Sequence, residues 1–133
     1  MTGADLACAA EALVACPFRL HGRDPATGLD CVGVVVAAFA ACGRTVAEPE
    51  GYGLRNRSID RWLALAARAG LQPCALDQEP GDVLLVRPGP AQHHLLVATG
   101  GERFVHAHAG LRRVVIQPGP LPWSVERRWR LAR

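Results

Sequence analysis

The sequence predicts an α+β fold in which N-terminal helices pack on an antiparallel β-sheet. Two observations carry this. Apolar residues at helical spacing are confined to the first half, and the second half is a series of short β-rich runs separated by Pro/Gly turns. Helices first and antiparallel strands after them make an α+β arrangement. No internal repeat or low-complexity linker interrupts the 133 residues, so one domain over 1–133 with a real hydrophobic core is expected.

The elements follow in order. Asp5–Ala15 carries Leu6, Ala9, Ala10 and Leu13 on one helical face, and Pro17 ends it by disfavouring helix at Cys16. "HGRDPATGLD" is turn-rich, punctuated by Gly22, Pro25 and Gly28. The next stretch begins with the β-branched "VGVVV", yet its apolar run extends to Cys42, which favours a buried helix. Asp30 suits the N-cap and Gly43 the C′ position, giving a helix over Cys31–Cys42. Arg44–Arg57 reads as a loop carrying the only tyrosine, Tyr52. Ser58 then caps a third helix with Ile59, Trp62, Leu63 and Ala66 on one face, stopped by Gly70. "DVLLVR", "HHLLVAT", "RFVHAHA" and "RRVVIQP" form a meander. "SVERRWRLA" adds a last strand, with "ERRWR" at Glu126–Arg130 expected at an edge or surface.

Charge and cysteine usage narrow the function. The net charge is +3 and no block of like charges occurs, so nucleic acid is not a favoured partner. A mildly basic surface suits an anionic polymer such as bacterial cell wall. The N-terminal segment lacks a positive n-region and is interrupted by Asp5 and Glu11, so it does not read as a signal peptide. Val32–Cys42 is too short to span a bilayer, and no membrane partner is expected. Synthesis in the cytoplasm is expected. Five cysteines at wide spacings fit neither a disulfide framework nor a CxxC site. "GYG" at Gly51–Gly53 lacks the lysine and the strand–helix context of a phosphate loop, and no cofactor is expected.

The candidate chemistry centres on Cys31. With Asp30 as N-cap, the thiol sits in the first turn of a helix, where the dipole and unpaired N–H groups stabilise an anion. Such a thiol is expected to have a lowered pKa and to label faster than the other four cysteines. The same N–H groups can hold an oxyanion. The bland reading of Cys31 is a buried core residue. A base is available among His93, His94, His106 and His108 on two adjacent strands. His93 and His94 must face opposite ways, while His106 and His108 share a face. A cysteine, a histidine base and a second ring to orient it follow the logic of a nucleophilic triad. Surface histidines on a hairpin are the plain alternative. Zinc on the same histidines ranks lower, since no HExxH and no paired carboxylates accompany them, and no metal is assigned.

Taken together these segments resemble the NlpC/p-sixty family of papain-like cysteine peptidases. "GLDCVG" at Gly28–Gly33 is similar to the family's Asp-Cys motif at the start of a buried helix. "PGDVLLV" at Pro80–Val86 with "HLLVATG" at His94–Gly100 matches the second motif, and "FVHA" at Phe104–Ala107 the third. The resemblance extends from about Phe18 to Val115. It implies a papain-like NlpC-type fold, with Cys31 as nucleophile, His94 as base and His106 as the orienting residue; His93 and His108 lie outside the motif positions. The implied reaction is hydrolysis of an amide bond in peptidoglycan stem peptides, between γ-linked D-glutamate and diaminopimelate. Family members often carry a tyrosine upstream of the cysteine that shapes the oxyanion site. Here "PFRLHG" has Phe18 at that position, so Tyr52 or helix N–H groups must supply what the hydroxyl would. Asp30, Phe18 and Tyr52 are thus the substrate or oxyanion candidates. The "PFRLHGRDPATGLDC" approach and the "HHL" strand start are most similar to phage and gene-transfer-agent cell-wall peptidases, which implies tail or baseplate hub partners and action in the periplasm. Two alternatives stay open: a tail structural protein that keeps the fold without activity, and an amidase or acyltransferase using the same Cys-His site.

Overall fold

The computed structural model describes residues 1–47 and 59–132. Helix α1 spans Gly3–Glu11, opened by a capping box in which Thr2 and Asp5 exchange side-chain and backbone hydrogen bonds. It ends short of the expected Ala15. Ala15 adopts φ 79°, and its N–H turns out of the helix to the carbonyl of Val114. The turn-rich segment forms a two-stranded ribbon, β1 (Arg23–Asp24) and β2 (Gly28–Leu29), that leads directly into the next helix.

That helix, α2, spans Cys31–Ala41 and is the centre of the molecule. Val32, Val34, Val35, Ala38 and Phe39 are all essentially inaccessible to solvent. A helix apolar nearly all round must be wrapped by other elements, and α2 lies against α1, the β1–β2 ribbon and the sheet. Gly33 permits a close approach of α2 to the segment that leads into the ribbon. A Cβ there would stand 2.2 Å from the carbonyl oxygen of Gly22. Helix α3 (Asp60–Arg68) is apolar on one side only, burying Trp62, Leu65 and Ala66. Its N-cap position is Ile59, whose side chain makes no capping hydrogen bond; the expected cap, Ser58, lies outside the described residues, as do Tyr52 and most of the Arg44–Arg57 loop.

The sheet contains β3 (Leu71–Pro73), β4 (Val83–Gly89), β5 (Gln92–Thr99), β6 (Arg103–His108), β7 (Arg113–Pro118) and β8 (Ser124–Leu131). Its order is β3-β8-β4-β5-β6-β7, with every pairing antiparallel. The α+β fold and the β4–β7 meander are as the sequence predicts. The last strand forms as expected, but it is not at an edge along its whole length. The chain crosses back over the sheet and inserts β8 between β3 and β4, so "ERRWR" runs from the half of β8 paired with β4 alone into a two-sided position at Trp129.

The register divides the sheet into two faces. Val83, Leu85, Leu95, Val97, Val105 and Ala107 lie under the helices. Leu84, Val86, Leu96, Ala98 and Phe104 face the other way, where Leu121 and Trp123 of the β7–β8 connection cover them. Two covered faces explain why "DVLLV" and "LLVA" are continuously apolar instead of alternating. Asp82, fully buried at the start of β4, fastens the returning strand. Its carboxylate accepts hydrogen bonds from Arg128, Arg130 and the Glu79 N–H at 2.8–3.0 Å. Burial pushes this carboxyl up, but Arg130, the Glu79 N–H and Arg128 outweigh it and hold it below the ordinary aspartate value.

Candidate active site

The site lies where the start of α2 meets the sheet. β5 and β6 are paired from Val97–Thr99 to Arg103–Val105, and toward His94 the two strands part. Cys31 sits at this seam, and its sulfur takes hydrogen bonds from the N–H of Leu95, in the stretch of β5 that pairs with β4 but not with β6, and from Val32. A cavity of about 370 Å³ opens here. Cys31, His94, His106 and Phe18 all line it, together with Trp62 of α3 and Trp123 of the β7–β8 connection.

Alternation along β5 puts His94 on the same face as His106 and His108, and His93 on the face toward the helices. The rings of His94 and His106 meet nearly edge to face, at an interplanar angle of 83°, with Nε2 of His94 2.8 Å from Nδ1 of His106. His106 is almost wholly buried, and its Nε2 lies 2.9 Å from Oε1 of Gln117 on β7. Trp123 presents its ring at 86° to both imidazoles, with centroids 6.5 Å from His94 and 5.8 Å from His106. His108 is occupied elsewhere: its Nδ1 accepts the Leu111 N–H in the β6–β7 turn. His93 is buried and reaches the cavity wall from the helix side.

Asp30 caps α2 as expected, and the cap leaves its carboxylate fully engaged. Oδ1 accepts from Gly33 N–H and from Arg23, and Oδ2 accepts from the His21 N–H, all within 2.9 Å. The aspartate therefore anchors the approach segment to the helix. Capping at Gly33 leaves the N–H of Cys31, the first helical position, without a backbone acceptor in the helix.

The thiol does not behave as its helical position alone suggests. Burial, with the Asp30 charge adding to it, pushes Cys31 up to about 12, against the opposing pull of the Leu95 and Val32 N–H groups and Arg23. Magnitudes explain the reversal. A helix start contributes about 0.3–1 kcal/mol, whereas a rise of some three pH units corresponds to ~4 kcal/mol. Desolvation wins. Burial, followed by the neighbouring His106 and His108, pushes His94 down to about 3. His106 is also lowered by burial, partly restored by the hydrogen bond to Gln117. At neutral pH the cavity is lined by a neutral thiol and a neutral imidazole.

Among these groups, Gln117, Trp62 and Trp123 are the ones sequence reasoning missed. Gln117 carries a readable signal. In a tight β6–β7 hairpin pairing His108 with Arg113, position 117 falls on the face of His106, one step diagonal to it. Trp123 gives no such signal, because its place depends on the path of a connection across the sheet.

Comparison with solved structures places this architecture. NlpC2 from Trichomonas vaginalis matches with a TM-score of 0.70 at 18% identity, covering 98% of this chain and 46% of that one. The NlpC/p60 domain of the peptidoglycan hydrolase SagA matches at 0.62 and 22% identity, over 89% of this chain and 90% of that domain. The peptidoglycan hydrolase RipB from Mycobacterium tuberculosis matches at 0.62 and 19% identity, over 95% and 62%. The fold is that of the NlpC/P60 domain. This chain spans less than half the length of the Trichomonas protein. No protein-family model matches the sequence, and no curated protein matches it. The likeness is thus one of shape, and the chemistry rests on the residues around the cavity.

Proposed function

We propose that this chain is a cysteine peptidase that hydrolyses amide bonds in peptidoglycan stem peptides. The observation that carries the reading is the hydrogen-bonded pair His94–His106 lining one cavity with Cys31 at the start of α2. Two of the similar structures are peptidoglycan hydrolases by name, which supports the substrate class.

Cys31 is the nucleophile, His94 the base and His106 the residue that orients it. Because the thiol and imidazole are both neutral, the proton moves from sulfur to His94 as the S–C bond forms and the carbonyl π electrons move onto oxygen. The N–H of Cys31 at the helix start receives that oxyanion. When the tetrahedral intermediate collapses, the C–N bond breaks and His94 returns the proton to the departing amine. Water, deprotonated by His94, then attacks the thioester and restores the thiol. Asp30 keeps the helix start in place, and Phe18 supplies an apolar wall where a tyrosine hydroxyl is missing.

The bond between γ-D-glutamate and diaminopimelate is the proposed target, and a phage tail or gene-transfer-agent particle the proposed setting, both resting on the motif resemblance. Digestion of purified muropeptides followed by mass spectrometry tests the first. Products ending in D-glutamate and beginning with diaminopimelate are expected, and cleavage at any other bond would overturn the assignment. Proteomics of purified particles from the producing cell tests the second, which fails if the chain is absent from them.

A further inference from the structure

We infer that Gln117 decides which ring nitrogen of His94 is free to take the thiol proton. The inference rests on the cysteine peptidase reading and adds to it a residue that never touches the reacting atoms.

The logic is a count of protons along three side chains. A carboxamide oxygen can only accept, so Oε1 of Gln117, 2.9 Å from Nε2 of His106, requires the hydrogen on that Nε2. A neutral imidazole carries one N–H, which leaves Nδ1 of His106 bare. That nitrogen lies 2.8 Å from Nε2 of His94 and can only accept, so Nε2 of His94 must donate. His94 in turn is left with a bare Nδ1. The base is therefore prepared by a donor–acceptor order that begins on the edge strand β7. Reversing it disables the base. Were the 117 side chain a donor, His106 would carry its hydrogen on Nδ1 and donate to Nε2 of His94. The His94 hydrogen would then sit on Nδ1, with no lone pair there for the sulfur proton. Gln117 thus acts as a positioning residue through His106.

Burial makes the order strict. His106 is 1% exposed, so water does not substitute freely for a lost partner. Trp123 stands across both rings and keeps the pair dry from the outer face. Gln117 itself is half-buried on an edge strand, where substitution leaves the core intact.

Three variants separate the possibilities. Gln117→Glu offers acceptors only, Gln117→Lys donors only, and Gln117→Met keeps the length and removes both. The first readout is the tautomer of His94 in substrate-free protein, from two-bond 1H–15N correlations of histidine-labelled samples. The second is kcat and KM on peptidoglycan fragments. Wild type and Gln117→Glu are expected to show the Nε2–H form of His94. Gln117→Met should show a mixture of the two forms, and Gln117→Lys the Nδ1–H form. kcat should be kept in Gln117→Glu, fall roughly tenfold in Gln117→Met and fall on the order of 10²–10⁴-fold in Gln117→Lys, with KM unchanged. A His94 tautomer identical in all four proteins would overturn the inference. So would a loss in Gln117→Glu equal to that in Gln117→Lys. Because the tautomer is read without substrate, a chain that fails to cleave peptidoglycan but shows the predicted series refutes the proposed function alone.

Discussion

Titrating the thiol of Cys31 tests the neutral-pair chemistry directly. Cys31 is pushed up to about 12 and His94 down to about 3, a separation of about nine pH units. Moving the proton from sulfur to imidazole in the empty site therefore costs ~12 kcal/mol before the two charges attract one another. For two unit charges about 4 Å apart, an effective dielectric of 20 would return only about 4 kcal/mol. The neutral pair wins by several kcal/mol. Two measurements follow, each with Cys31→Ala as the reference. The difference absorbance at 240 nm should show no Cys31 thiolate between pH 5 and pH 9. Alkylation mapped by mass spectrometry at neutral pH should label exposed Cys8 faster than Cys31, whose buried thiol is pushed up to about 12 and holds little thiolate there. A Cys31 thiolate band titrating below pH 7, or faster labelling of Cys31 than Cys8, would refute the reasoning and restore the helix dipole as the dominant influence.

Other predictions concern the frame that holds the site. Asp82→Asn should destabilise the fold by roughly 3 kcal/mol, the low end for breaking a buried pair, since Arg128 and Arg130 still reach water; denaturant melts measure it, and an unchanged midpoint would deny the clasp. The Asp82 carboxyl is depressed in the fold, so its contribution is present above the unfolded aspartate value near 4 and is lost as pH falls through the folded value. The acid limb of the stability curve should accordingly flatten in Asp82→Asn. Gly33→Ala should lose stability although alanine is favoured in a helix by about 1 kcal/mol. The new Cβ meets the Gly22 carbonyl at 2.2 Å, and such overpacking costs about 1–3 kcal/mol. A melt at or above wild type would show that the ribbon simply moves away. Phe39→Ala, in the centre of α2, should cost about 3–5 kcal/mol by the same measurement, and less than 1 would place the core elsewhere.

How far the sequence could be read depended on whether the deciding physics was local. Asp30 followed by a glycine-tolerant apolar run announces a capped helix, and α2 is there with its cap to Gly33. The period of two put one of His93 and His94 on the face shared by His106 and His108, the motif resemblance chose His94, and the register puts it on that face. What was not legible depends on distant chain. The insertion of β8 beside β4 is secured by Asp82 gripping arginines 46 and 48 positions away, and nothing near either partner foretells it. The titration of Cys31 failed for a related reason. The dipole is written in the local sequence, whereas the desolvation that overrides it comes from the sheet closing over the sulfur. Gln117 lies between these cases, recoverable once the β6–β7 register is fixed.

The central claim is that Cys31 attacks an amide carbonyl in peptidoglycan. Purified sacculi or their stem peptides, incubated with the wild-type chain and with Cys31→Ala, test it by the appearance of new primary amines. Release by wild type and none by a folded Cys31→Ala protein is the expected result. Equal release from both, or no release by either, would contradict it.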